Sequence, residues 1–388
     1  MKPERDQATK GRDPRFDTLR GVFLICMTVN HLPTELRLVT DQSIGVFTAA
    51  EGFVFLSGLL AGWVYTRRLR ERGPGGLWEA VLSRAKSIYR WHIASFIGAF
   101  VCVQLTEYFC GYCSPAAPRL FFQHPIEALG LGLTLLYQPG LLDLLPMYCV
   151  FVALLPAVIR GLEAGHRWLV LAISAALWLA AQWAPAVDGA PIYPINTGSF
   201  NLLAWQLIFV AGVVIGHARI SGMPQVARPS RWAVAAASAL ALYGFGLRHL
   251  QWPSIWPAQV YGVLLNKPAL GLLRLADFGA VAYLVAILGE RFPSALAARP
   301  LEFLGRHSLV VVATQSVAIM ALLQFPALFA TATGRTLVAL GMVALVFVAA
   351  GVSQAFASRR PGSSDAPSIG SRQPPQGGLV RPDDAQAA

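Results

Sequence analysis

The chain has 388 residues, of which 55% are hydrophobic and 13% charged, with a formal net charge of +11 and a mean hydropathy of +0.53. A charged fraction about half that of an ordinary soluble domain excludes a water-soluble globule, because too few polar side chains exist to cover its surface. The apolar residues gather in runs of roughly 17 to 25, enough for helices that cross about 30 Å of hydrocarbon. The fold class expected is therefore all-α: a polytopic transmembrane helical bundle of about ten spans, with both termini cytosolic.

The N-terminus, MKPERDQATKGRDPRFD, is long and charged, with no small-residue cleavage site behind the first apolar segment, so no cleavable signal peptide is expected. Residues 1–15 read as a polar cytosolic segment and 16–357 as the transmembrane domain. Residues 358–388, rich in Pro, Gly and Ser, read as a disordered cytosolic tail. Spans are expected near 21–40, 44–66, 88–108, 141–159, 168–185, 201–218, 232–250, 270–289, 304–325 and 336–356. On that topology most lysines and arginines face the cytosol, including seven cations between Arg67 and Arg90. This is the positive-inside pattern, so the lipid bilayer accounts for the net charge and nucleic acid is not expected as a partner.

The first expected span contains RGVFLICMTVNH, from Arg20 to His31. Eleven helical steps turn about 1,100°, roughly 20° past whole turns, so the two residues share a face about 16.5 Å apart. Arg20 then marks the cytosolic boundary and His31 lies near the midplane, where an ionisable group is costly and points to function. Asp17, one turn before Arg20, can pair with it. The second span carries AAEGFVFLSG, which buries Glu51. Glu51 either faces His31 and orients or charges its ring, or lies at the outer interface. Gly58 with Gly62, and Gly212 with Gly216, form GxxxG pairs suited to close helix packing.

Between the second and third spans, SRAKSIYRWH brings Arg84, Lys86 and Arg90 to a membrane boundary, with His92 read as structural. These cations either anchor the helix at lipid headgroups or bind phosphate through their forked donors. The apolar stretch ALGLGLTLLYQPG, at Ala128 to Gly140, is too short to span easily and reads as interfacial or re-entrant. Further polar groups occur in apolar surroundings: Asp143 in LLDLLPMY, Gln206 in NLLAWQL, and Arg274 with Asp277 in LLRLADF. Arg274 and Asp277, spaced i, i+3, form an ion pair or a site for a carboxylate or sugar hydroxyls. Cys110 and Cys113 of CGYC fall outside the cytosol as a local disulfide or free thiols, and no metal-ligand spacing emerges.

A basic cytosolic mouth, an apolar interior and a midplane histidine suit an acyl-CoA donor. Arg20, Arg84 and Arg90 would hold the nucleotide phosphates while the pantetheine arm carries the acyl group inward. His31 would take a proton from an acceptor hydroxyl or carry the acyl group itself. No permanently bound cofactor is required.

The stretches FDTLRGVFLICMTVNH, EGFVFLSG, SRAKSIYRWH, LLDLLPMY, FNLLAWQLIFVAG and FLGRHSL, in this order, resemble the OpgC family of membrane acyltransferases. That family lies within the type-three acyltransferase superfamily, and the similarity runs from about Phe16 to the last span. The resemblance implies a multi-pass protein of the bacterial inner membrane that O-succinylates osmoregulated periplasmic glucans from cytosolic succinyl-CoA. It assigns acyl transfer to Arg20 and His31 and acyl-CoA handling to the arginines that include Arg84 and Arg90. Arg274 is the expected partner of the succinyl carboxylate. No appended periplasmic esterase-like domain is evident, so both half-reactions are expected in the membrane body. The alternatives are an O-acetyltransferase of another envelope polysaccharide and, in a different class, a transporter in which His31 and Glu51 couple protons.

Overall fold

The computed structural model describes residues 13–111, 117–183, 198–222 and 229–359, and every described element is helical. Helix α1 (Pro14–Asn30) starts where Asp13 accepts a hydrogen bond from the Arg15 amide at 3.1 Å and Pro14 fills the first turn, a position with no N–H to satisfy. It stops at His31. Pro33 supplies no backbone donor and disfavours helix at the residue before it, so the chain passes through turns into the short α2 (Arg37–Thr40). Helix α3 (Ala49–Cys110) opens with a Thr48/Glu51 capping box and is broken at Gly73 (φ 66°, ψ −172°), directly before Pro74. Only glycine adopts that backbone without strain, and the proline starts the second limb.

Helices α4 (Arg119–Gln123) and α5 (Pro125–Leu133) follow. The latter covers the first part of the short apolar stretch and is held on α3 by two side chains: His92 Nε2 lies 3.1 Å from the Gly132 carbonyl, and Tyr89 donates to Leu133 O at 2.9 Å. The structural reading of His92 agrees with this. Next come α6 (Leu144–Glu163), α7 (Arg167–Trp183), α8 (Leu202–Ile220), α9 (Arg231–His249), α10 (Ala258–Leu264) and α11 (Leu272–Arg291). The last three are α12 (Arg299–Arg306), α13 (Ser308–Leu322) and α14 (Ala332–Ser358).

The expectation of about ten spans is overturned. Among the described residues five helices are long and apolar enough to cross a membrane, namely α3, α6, α8, α11 and α14. The number rises to six if α12 and α13, which meet at 82°, form one broken span. The reasons are local. Helix α1 stops at 17 residues, and α7 has 17 among the described residues, each about 25 Å of helix. Helix α9 carries Arg231 at its start and Arg248 and His249 in its last turn, which shorten its apolar run. The segments 44–66 and 88–108 both fall on α3. An apolar window does not register such breaks. The expected polar N-terminal segment and C-terminal tail, and with them the sidedness of the termini, fall largely on residues 1–12 and 360–388. These lie outside the described residues, as does Cys113.

Two reciprocal close approaches assemble the bundle around the site. A side chain at Gly58 or Gly62 would collide with the Phe209 or Val213 carbonyl, and one at Gly212 or Gly216 with the Phe55 or Leu59 carbonyl. The paired GxxxG sequences therefore let α3 and α8 meet backbone to backbone. Likewise Gly21 of α1 faces the Leu301 carbonyl, and Gly305 of α12 faces the Asp17 carbonyl. That second contact brings the start of α13 beside Arg20. Buried Phe151, Trp205, Ile208 and Phe209 fill the centre.

Candidate functional site

Two cavities meet inside the bundle. The first, of about 300 Å³, is walled by Phe53, Leu60, Val64, Ile88, Leu145 and Phe209, with Arg20, Arg84, Ser57, Tyr65, Tyr148 and Ser308 as its polar groups. Arg20 donates from Nη2 to Ser308 Oγ, and its guanidinium lies 5.5 Å from the centroid of the Phe53 ring. The α1–α12 contact thus fixes the arginine at the cavity wall, where cation–π attraction holds its charge over an aromatic face. Arg84 is exposed at the same cavity.

The second cavity, of about 380 Å³, has a mixed lining: His31, Asn30, Arg37, Asp41, Thr48, Asp143, Lys267, Arg274 and Gln315 share it with apolar residues that include Met27, Leu141, Phe200 and Ile319. Leu144 and Val312 line both cavities and form the septum between them. His31 caps α1 and is exposed into the second cavity, with its Nδ1 2.6 Å from the Met27 carbonyl oxygen. A carbonyl only accepts, so Nδ1 carries the proton of that bond and Nε2 of the neutral ring holds the lone pair. A third, shallower concavity of about 430 Å³, lined by Glu35, Arg248 and Arg335 among others, shares Arg37 and Asp41 with the second. The Arg335 side chain, paired with Glu35, holds that carboxyl below its ordinary range.

Several expected partnerships differ. Glu51 does not orient His31; its carboxylate is buried, accepts from the Thr48 amide at 3.0 Å and the Thr48 hydroxyl at 2.7 Å, and pairs with Arg274. The chain reversal after His31 separates the end of α1 from the capping box that consumes Glu51. Arg274 and Asp277 do not form an ion pair with each other. Asp277 instead accepts from the Val46 amide at 2.7 Å and fits against Gly45 and Gly244. Arg274 nevertheless lines the histidine cavity, so the Glu51 carboxylate reaches its edge through that guanidinium.

Asp17 is buried at the α1–α12 contact, 3.8 Å from Arg306, and lines neither cavity. Arg90 is exposed and lines neither cavity, six residues and thus a different helix face from Arg84. Gln206 ties α7 to α8: its carbonyl accepts from Ser174 Oγ at 2.6 Å and its amide donates to Ser174 O at 2.8 Å. Asp143 does reach the histidine cavity, with Oδ2 accepting from the Ser199 amide at 3.0 Å.

Sequence reasoning missed Lys267, Gln315 and Arg37 as cavity residues. Lys267 in YGVLLNKPALG and Gln315 in VVVATQSVAIM are polar groups in apolar runs, the signal that singled out Gln206. Arg37 was masked by its place in an interrupted span. Among the described residues no group of three or more His, Cys, Asp or Glu side chains is arranged to hold a metal ion.

A family model described as OpgC protein matches residues 12–358. No curated protein and no solved structure matches the chain. The match spans both cavities, their septum and every described membrane helix, and the chain therefore belongs to the OpgC family of membrane acyltransferases, as a multi-pass protein of the bacterial inner membrane.

Proposed function

We propose that this protein moves a succinyl group from cytosolic succinyl-CoA to hydroxyls of periplasmic glucans through its two abutting cavities. The observation that carries this reading is the shared septum: Arg20 and Arg84 line one side of Leu144 and Val312, and His31 lines the other. Phosphates of the donor would sit at Arg84 and Arg20, whose forked donors match phosphate oxygens. The apolar walls would accept the slender pantetheine arm and exclude water. Arg20 and His31 are about 16.5 Å apart along α1, a separation suited to such an arm.

The acceptor hydroxyl would arrive past Arg37 and Asp41, from the polar concavity that both residues also line. His31 Nε2 takes the hydroxyl proton while the oxygen attacks the thioester carbonyl carbon. The new C–O bond forms, the C–S bond breaks, and the imidazolium returns the proton to the departing thiolate. Gln315, whose Oε1 lies 2.6 Å from the Thr28 hydroxyl, lines the cavity with His31, and its amide Nε2 would be a donor to the developing oxyanion. Nε2 of His31 is also the atom that would carry the acyl group in a two-step transfer. Acid quench of a single turnover separates the routes by the presence or absence of a succinyl adduct on His31.

The reaction is tested by mass spectrometry of envelope glucans from cells carrying the intact protein or His31→Ala. Succinyl increments that disappear in the variant support the proposal. Acetyl increments, or unmodified glucan in both, contradict it.

A further inference from the structure

We propose that Lys267 binds the free carboxylate of the acyl group, so that this residue selects a dicarboxylic monoacyl donor over a neutral one of the same length. The inference rests on the acyl-transfer reading above and deepens it, because Arg274, the cation expected for this task, is already paired with Glu51.

Lys267 lines the same cavity as His31. Lys267 is exposed, its ammonium lies 6.0 Å from the centroid of the Phe200 ring, and among the described residues no carboxylate comes within ion-pair distance of it, the Asp143 carboxylate acting on it only through longer-range attraction. The backbone around it is built with unusual care. Trp205 Nε1 donates to the Lys267 and Pro268 carbonyls at 3.2 and 3.1 Å, and Gln182 Nε2 donates to Ala269 O at 2.7 Å. Trp178 Nε1 donates to Leu270 O at 2.9 Å, and the Asn266 side chain accepts from the Ala269 amide at 2.7 Å. These bonds from α7 and α8 pin the segment that presents the lysine.

The geometry suits the chemistry. Three C–C bonds of about 1.5 Å put the far carboxylate carbon of a succinyl group about 4 Å from the reacting carbonyl carbon. The cation that receives it must therefore stand near the catalytic ring without displacing the acceptor. Lys267, Arg37 and Asp41 line the cavity that His31 lines. Arg37 lies on the path shared with the outer concavity, whereas Lys267 belongs to the inner cavity alone. Asp143, the other carboxylate of this cavity, is engaged by the Ser199 amide. A carboxylate at the acyl end adds a charge attraction to this ammonium that a neutral acyl group lacks.

The full-length protein in lipid nanodiscs, with glucan as acceptor, is assayed with succinyl-CoA and with butyryl-CoA, which matches its chain length without the charge. Lys267→Met is expected to lower kcat/KM for succinyl-CoA by roughly 10²-fold while leaving butyryl-CoA turnover equal or higher, and Lys267→Arg to restore most of the preference. Equal losses for both donors overturn the assignment. A preference that survives Lys267→Met but collapses in Arg37→Gln does the same. Wild-type protein that turns over acetyl-CoA or butyryl-CoA in place of succinyl-CoA contradicts the donor reading itself, and the role of Lys267 with it.

Discussion

The two cavities share Leu144 and Val312 yet differ in chemistry. The arginine cavity has apolar walls and two cations at its edge, one fixed by Ser308 and Phe53. The histidine cavity adds charged and amide side chains, several already engaged with neighbours, to an apolar part of its wall. An apolar tube with a cationic rim admits a long thin substrate whose charge stays at one end. A polar chamber suits a hydroxylated substrate and the redistribution of charge during transfer. Under the proposed function, donor handling and chemistry are divided between the compartments, with the septum as the point of exchange.

Four perturbations bear on that division. His31→Ala removes the lone pair facing the polar chamber, and transfer should fall on the order of 10³-fold in kcat. Donor affinity, read by equilibrium binding, should hold because His31 lies outside the arginine cavity. A similar loss in donor binding would break the comparison.

The next effect is on stability. Glu51→Gln leaves the buried Arg274 guanidinium without its carboxylate, a change worth about 3–5 kcal/mol when one partner of a buried pair is lost. The thermal transition in detergent should fall accordingly, and Glu51→Gln combined with Arg274→Met should recover most of it. Val312→Trp would fill the septum. It should lower transfer roughly 10²-fold while succinyl-CoA binding persists, and unchanged transfer would show that the acyl group takes another path. Smallest is the paired test of the rim. Arg84→Ala should raise KM for the donor roughly tenfold, whereas Arg90→Ala should change it by less than about twofold; equal effects would assign the donor to the wider basic segment.

These contrasts follow the line between what the sequence made legible and what it did not. Arg20, His31 and Arg84 are visible because a membrane makes ionisable side chains expensive, and helical periodicity relates the first two. The GxxxG pairs are equally visible, since small residues at that spacing have one dominant use. Partner choice is another matter. Glu51 pairs with Arg274, which is 223 residues away in the chain, and no local spacing encodes such a meeting. Gln206 and Gln315 look alike in sequence, each an amide in an apolar run, but Ser174 satisfies one while the other faces a cavity. The span expectation erred for a related reason. Pro33, Gly73 and the break at His307 divide or join helices without altering average apolarity.

Transfer across a sealed bilayer tests the two-compartment arrangement most directly. Proteoliposomes with glucan trapped in the lumen are given succinyl-CoA outside, and lumenal glucan is then analysed by mass spectrometry. The expected result is succinylated lumenal glucan with the wild type and none with His31→Ala. Succinylation that occurs only when glucan and succinyl-CoA share one side of the membrane would contradict it.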